Sequence, residues 1–192
     1  MMIKIAIIGD IGSGKSFIAK QFGFPVFSAD KEVNKIYKNN KNCFKSLKSQ
    51  LPKYISSFPI KKNELGKAIL DSQNNLQKII KIVHPLVRDS MNRFLNKNKK
   101  KNFLVLDIPL FLENKLNKKK NILVFVSAKK KEIQKRLRKR PNYNPKIFNK
   151  LRKLQLPLEF KKKKSNFIIK NNFKIISARK SVRILKDKIL NI

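Results

Sequence analysis

An α/β fold with an open, parallel sheet is predicted by three observations. Short, continuous apolar runs recur along the chain, and helical apolar patterns lie between them. The first run leads at once into a glycine-rich turn, Gly9-Asp10-Ile11-Gly12-Ser13-Gly14-Lys15-Ser16, that opens a helix. Apolar runs without alternation are what strands become when a parallel sheet is covered on both faces. Strands alternating with helices point to an open α/β sheet.

Five strands are expected. Ile3 to Ile8 is the first, and Pro25-Val26-Phe27-Ser28 is a short second one ending at Ala29-Asp30. Phe103 to Ile108, Ile122 to Val126 and Phe167 to Ile169 are the third, fourth and fifth. A helix begins at Ser16 and runs to Phe22. Leu76, Ile79, Ile80 and Val83 share one helical face. Val87, Met91, Phe94 and Leu95 share another, on a separate helix with Pro85 in its first turn. Ile133 and Leu137 support a further helix, and Ser177 is the expected cap of a last one carrying Val182, Leu185 and Ile189. The stretch of about 31–101 is longer than one crossover needs, and reads as an inserted helical substrate lobe in a core of about 1–30 and 102–192. No internal repeat is visible.

The 192 residues suit one domain, and 41% hydrophobic residues suffice for a core. The formal charge of +37 is extreme, which on its own suggests a polyanion partner. Lysine, however, supplies 40 of the 48 basic residues, in a chain rich in Asn and Ile, with 5 Gly and no Trp. Those preferences match AT-rich codons, so the charge is read as compositional drift, with no specific nucleic acid implied. Cys43 is alone and has no intrachain disulfide partner. The apolar run Ile5 to Ile8 is too short for a signal segment, and no stretch is long enough to span a membrane. A cytoplasmic protein with no membrane association and no obligate protein partner is expected.

The turn fits G-x-x-x-x-G-K-[ST] in full, and each position has a chemical reason. Its glycines let backbone N–H groups converge on phosphate oxygens, and the helix that starts there adds its positive end. Gly9, Ile11, Gly12, Ser13, Gly14, Lys15, Ser16 and Phe17 are expected around the phosphates of ATP. Lys15 would reach the β- and γ-phosphates, and Ser16 would offer its hydroxyl to Mg²⁺. The motif specifies a nucleoside triphosphate site shared by GTPases, ATPases and small-molecule kinases. A short chain without a guanine-reading N-K-x-D motif favours a small-molecule kinase.

Several further segments, in order, resemble those of the dephospho-CoA kinases over roughly residues 3–172. They are the loop itself, Ser28-Ala29-Asp30, Asn63 to Ile69, Ile82-Val83-His84-Pro85-Leu86-Val87 and Asp107-Ile108-Pro109-Leu110-Phe111-Leu112-Glu113. Arg136 and Arg140 fall where that family has a lid helix, and Gln155 and Asn171 fit its later motifs. The resemblance implies a P-loop kinase core with a parallel five-stranded sheet flanked by helices, the inserted lobe for CoA, and a lid over about 129–157. It implies transfer of the ATP γ-phosphate to the 3′-hydroxyl of dephospho-CoA, giving CoA and ADP. Arg136 and Arg140 are then expected on ATP, with Arg140 and Lys15 catalytic, and His84, Arg88, Asp107 and Pro109 with Asp30 on the substrate. The sequence departs from the family's pattern at Asp10, Phe17 and Pro141.

Asp30 is expected to take the acceptor proton, since ligands bind at the carboxyl ends of such strands. A helix cap for the segment from Lys31 is its plainer role. Asp107 either orients Mg²⁺ through water or is a strand-end turn carboxylate. His84 is either near the substrate cleft or a helix-end polar group. Arg136, Arg138 and Arg140 stand out in a chain that prefers Lys, because a planar guanidinium suits bidentate phosphate contact; otherwise they line a solvated face. Another small-molecule or nucleoside kinase is the nearest rival reading, and a basic nucleic-acid-binding P-loop protein a more distant one without a supporting motif.

Overall fold

The computed structural model describes residues 2–118, 120–141 and 143–191. Met1 and Ile192 of the expected core and Asn142 of the expected lid lie outside the described residues, as does Lys119. The chain divides into two compact units, Met1–Ser28 with Asn98–Tyr143 and Leu154–Ile192, and Ala29–Lys97 with Asn144–Lys153.

The first unit contains β1 (Ile3–Gly9), α1 (Lys15–Gln21) and β2 (Val26–Ser28) from its opening segment. The second unit supplies α2 (Ala29–Asn39), α3 (Lys41–Gln50), α4 (Lys62–Asp71) and α5 (Gln73–Lys97). The chain then returns to the first unit for β3 (Phe103–Asp107), β4 (Asn121–Ser127) and α6 (Lys130–Arg138). It adds α7 (Pro145–Arg152) to the second unit, and finishes in the first with α8 (Leu158–Lys163), β5 (Phe167–Lys170) and α9 (Ile175–Leu190).

In the first unit the five strands form one sheet in the order β2-β3-β1-β4-β5, and every pairing is parallel. Alternation along the strands sends Ile5, Ile7, Val105, Val124 and Val126 to one face, where they meet Ile18, Ala19 and Phe22 of α1 and its end and Ala178, Val182, Leu185 and Ile189 of α9. Ala6, Ile8, Leu104, Leu106, Leu123 and Phe125 are just as buried and point to the opposite face. Burial on both faces is why these strands read as unbroken apolar runs.

The second unit has its own core. Ile36, Leu47, Leu51, Ile55, Leu65, Ala68, Ile79 and Val83 bury against one another. Helix α7 joins it by way of α4: Lys150 Nζ donates to the carbonyls of Ile69 (2.8 Å) and Leu70 (2.9 Å), near the end of α4. Asn144 caps α7, its side chain accepting from the N–H groups of Lys146 and Ile147.

Three local expectations are corrected. Pro85 does not begin a new helix; α5 runs unbroken for 25 residues with Pro85 inside it. Proline there removes one donor to the carbonyl of Lys81. Both residues are exposed, so water can solvate that carbonyl. Ser177 does not cap α9, which starts two residues earlier at Ile175; Asn172 accepts from the Lys174 N–H just ahead of it. Asp30 does not end a strand, because α2 begins at Ala29 and places Asp30 in its first turn. Among the described residues, no helix is long and apolar enough to cross a membrane.

Candidate active site

The phosphate loop joins the carboxyl end of β1, the central strand, to α1. Its conformation excludes a side chain at its glycines; at Gly9 a Cβ would stand 2.6 Å from the Val126 carbonyl oxygen. Gly14, at the N-cap of α1, has φ 91°, and a Cβ there would stand 2.3 Å from Asn171 Nδ2. Gly12 has φ 87°, and a Cβ there would press on Ile133 and Leu137 of α6 at 3.0 Å. Inside the loop the Ser13 N–H donates to the Asp10 carbonyl (3.2 Å). Ser13 is fully buried, and its Oγ meets no hydrogen-bond partner among the described residues.

Lys15 is 8% exposed, and its ammonium lies against the loop's own carbonyls, 2.7 Å from Asp10 O and 3.3 Å from Gly9 O. Its charge is thereby held at the loop on which phosphate oxygens would converge. Ser16 is exposed in the first turn of α1, whereas Phe17 packs against the core. The Asp10 side chain turns back on the loop and accepts the Ile11 N–H at 2.7 Å. That N–H, expected to face phosphate, here serves the turn itself.

Asp107 ends β3 at the same edge of the sheet, in register with Ile7 of β1 and Ser28 of β2. It is 3% exposed, and Ser28 Oγ donates to its Oδ2 at 3.3 Å. Pro109 follows two residues later, in the turn after β3. Arg136 is exposed on α6 and lays its guanidinium 4.5 Å from the centre of the Phe173 ring, a cation–π contact. Arg138 and Arg140 are exposed; Arg140 lies beyond the helix, its N–H bonded to the Leu137 carbonyl at 3.0 Å.

The first unit therefore holds the loop, Asp107, Pro109, Arg136 and Arg140. Asp30, His84 and Arg88 belong to the second unit. Asp30 is exposed, and its carbonyl accepts from Asn34 Nδ2 at 2.8 Å. His84 and Arg88 are four residues apart on α5 and so share one face of that helix.

One residue matters more to the loop than sequence reasoning assigned. Asn171, 5% exposed just after β5, donates from Nδ2 to the Ser13 carbonyl (2.8 Å) and accepts the Phe173 N–H on Oδ1 (2.9 Å). It ties the segment that presents Phe173 to the phosphate loop. Phe173 itself has φ 62°, a left-handed conformation that this bond helps to hold. Asn171 was marked only by the family resemblance, because no local pattern reveals a bond spanning 158 residues.

A G-x-x-x-x-G-K-S loop at the carboxyl edge of an all-parallel sheet is the architecture of the P-loop phosphotransferases. The comparisons narrow that class. The chain belongs to the dephospho-CoA kinase family, whose family model matches residues 3–177. The dephospho-CoA kinase of Bartonella quintana is 30% identical over 191 residues, covering 97% of each chain. That of Wolbachia pipientis is 35% identical over 170 residues, covering 86% of this chain and 87% of its own. The dephospho-CoA kinase structure from Campylobacter jejuni superposes with a TM-score of 0.64 at 24% identity, covering 98% of both chains. A shikimate kinase from Acinetobacter baumannii reaches 0.54 at 14% identity, covering 100% of this chain and 94% of its own. These structural likenesses speak to the fold.

Proposed function

We propose that this chain transfers the γ-phosphoryl group of ATP to the 3′-hydroxyl of dephospho-CoA, giving CoA and ADP in the last step of coenzyme A synthesis. Membership of the dephospho-CoA kinase family is the observation that carries the reading. The acceptor oxygen bonds to the γ-phosphorus, the bond to the β,γ-bridging oxygen breaks, and ADP leaves. Lys15 neutralises charge on the phosphoryl oxygens, and the loop N–H groups from Gly14 to Phe17 hold the β-phosphate. Arg136 flanks the nucleotide, and Arg140 closes on the phosphates as part of a lid over about 129–157. His84, Arg88 and Pro109 contact the acceptor, with residues of about 31–101 as the substrate lobe.

The donor set at the loop suits Mg²⁺. Ser16 offers an exposed hydroxyl, and Asp107 is a carboxylate held in place by Ser28. Mg²⁺ takes hard oxygen ligands, keeps several waters, and needs only one or two protein groups besides phosphate. Ser16 would hold it directly and Asp107 through water, and its charge would offset that of the triphosphate. We place the reaction in the cytoplasm, with no specific nucleic acid, membrane or obligate protein partner.

Asp30 accepts the proton of the 3′-hydroxyl, since Lys15 and Ser16 are engaged with phosphate and metal. The test is ADP release with and without dephospho-CoA, for the native chain and for Asp30→Asn. The variant is expected to keep its ATP affinity and lose kcat by ~10²–10⁴-fold, the usual contribution of a general base. Turnover within a few-fold of native would move that role to Asp107. ADP release that ignores dephospho-CoA would sink the substrate assignment itself.

A further inference from the structure

A buried ion pair in the first unit has no part in the chemistry above. Lys161 Nζ stands 2.6 Å from Glu113 Oε1, with side-chain exposures of 1% and 10%. The same oxygen accepts the Leu156 N–H at 3.0 Å. Glu113 lies in the turns that follow β3, six residues after Asp107. Leu156 lies two residues past Leu154, where the chain re-enters the first unit from α7. Lys161 is held in α8, its N–H on the Pro157 carbonyl and its own carbonyl accepting from Ser165 Oγ at 2.7 Å. One carboxylate thus joins three stretches of chain.

Such a pair is a poor device for stability alone. The cost of taking two charges out of water offsets most of their attraction, and apolar replacements are often no less stable. What it confers is a fixed geometry. The turns it anchors are tight: the Asn114 N–H bonds to the Leu110 carbonyl (3.0 Å), the Leu116 N–H to the Phe111 carbonyl (3.1 Å), and Lys115 has φ 52°. Phe111 is buried beneath them. A displacement at Glu113 therefore reaches Pro109 and Asp107 through a short, stiff segment.

We propose that Glu113 and Lys161 form a positioning pair for phosphoryl transfer, which holds the turn behind Asp107 and Pro109 and the root of the segment returning at Leu154. Neither touches substrate; both act through the backbone they hold. The inference rests on the dephospho-CoA kinase reading, whose failure would show in the native chain as ADP release independent of dephospho-CoA, and would overturn both.

The deciding variant is Glu113→Gln/Lys161→Met. It removes both charges and keeps an acceptor for the Leu156 N–H. Thermal midpoint, ATP affinity by titration, and kcat and KM for dephospho-CoA are to be measured. The expected result is a midpoint within a few degrees of native, unchanged ATP affinity, and kcat lowered roughly tenfold or more, as misplaced reacting groups are costly. Native kcat and KM in the double variant would make the pair purely structural and overturn the proposal. So would activity losses that merely track the midpoint. If the double variant does not fold, Glu113→Gln alone decides, by ATP affinity, kcat and KM measured at a temperature where circular dichroism shows it folded, whatever its midpoint.

Discussion

Gly14 and Asn171 make one contact that governs the shape of the phosphate loop. A methyl group on residue 14 would meet Asn171 Nδ2 at 2.3 Å, from a backbone with φ 91°. Gly14→Ala should therefore fold less stably and bind ATP weakly. The left-handed conformation costs an L-residue roughly 1–2 kcal/mol even before the clash. Asn171→Ala should also destabilise, by ~1–3 kcal/mol, because the Ser13 carbonyl loses its donor in a buried place. The two changes share a cause, so the double variant should lose less than the single losses added together. Thermal denaturation of the three variants, with ATP titrations, checks this. Full additivity would mean that the contact is incidental. At the same scale, burial pushes the thiol of Cys43 up to about 11. The folded chain should therefore expose very little thiolate to alkylating reagents at neutral pH.

Helix α5 shows where an element can outvote a local signal. Proline in a helix interior costs about 3 kcal/mol relative to alanine, yet α5 passes through Pro85. The buried residues Leu76, Ile79 and Val83 hold its first half in the core of the second unit, and Leu86 and Val87 pack against the same core beyond the proline. Pro85→Ala should raise the thermal midpoint, since the restored hydrogen bond outweighs the ~0.4–1 kcal/mol lost by loosening the unfolded chain. A lower midpoint would mean that packing requires the proline's bend. The strands, by contrast, were legible in the sequence: Ile5 to Ile8 and Leu123 to Val126 are buried on both faces, so apolar runs alone reveal them. The phosphate loop was legible too, because its chemistry is local. Asn171 was not readable from spacing, and neither was the start of α9. Asn171 acts through a side-chain bond to Ser13 that sequence periodicity does not encode, and Lys174, the N-cap of α9, makes no side-chain cap bond that would mark the start. A helix was expected from Lys31, but its start at Ala29 escaped because β2 passes into α2 with no residue between them.

At the scale of the whole molecule, both units carry a large positive charge. The first unit carries 29 basic and 6 acidic side chains, and the second 19 and 5, giving +23 and +14 of the total +37. Neither unit holds the excess alone. The chain should bind duplex DNA weakly and without sequence preference, and lose that binding steeply between about 50 and 200 mM salt through counterion release. Fluorescence anisotropy with two unrelated duplexes checks this. A tight complex with only one of them at physiological salt would contradict the reading of the charge as compositional drift.

The central place of β1 in the sheet has a consequence for biosynthesis. Its register partner to one side, Phe103 opposite Ile3, emerges from the ribosome 100 residues later, and Asn121 opposite Lys4 later still. At about 5–20 residues per second, an apolar strand waits several seconds or more with both hydrogen-bonding edges unpaired. That interval exposes β1 to aggregation, and chaperones that cover nascent apolar segments should raise the yield of folded chain.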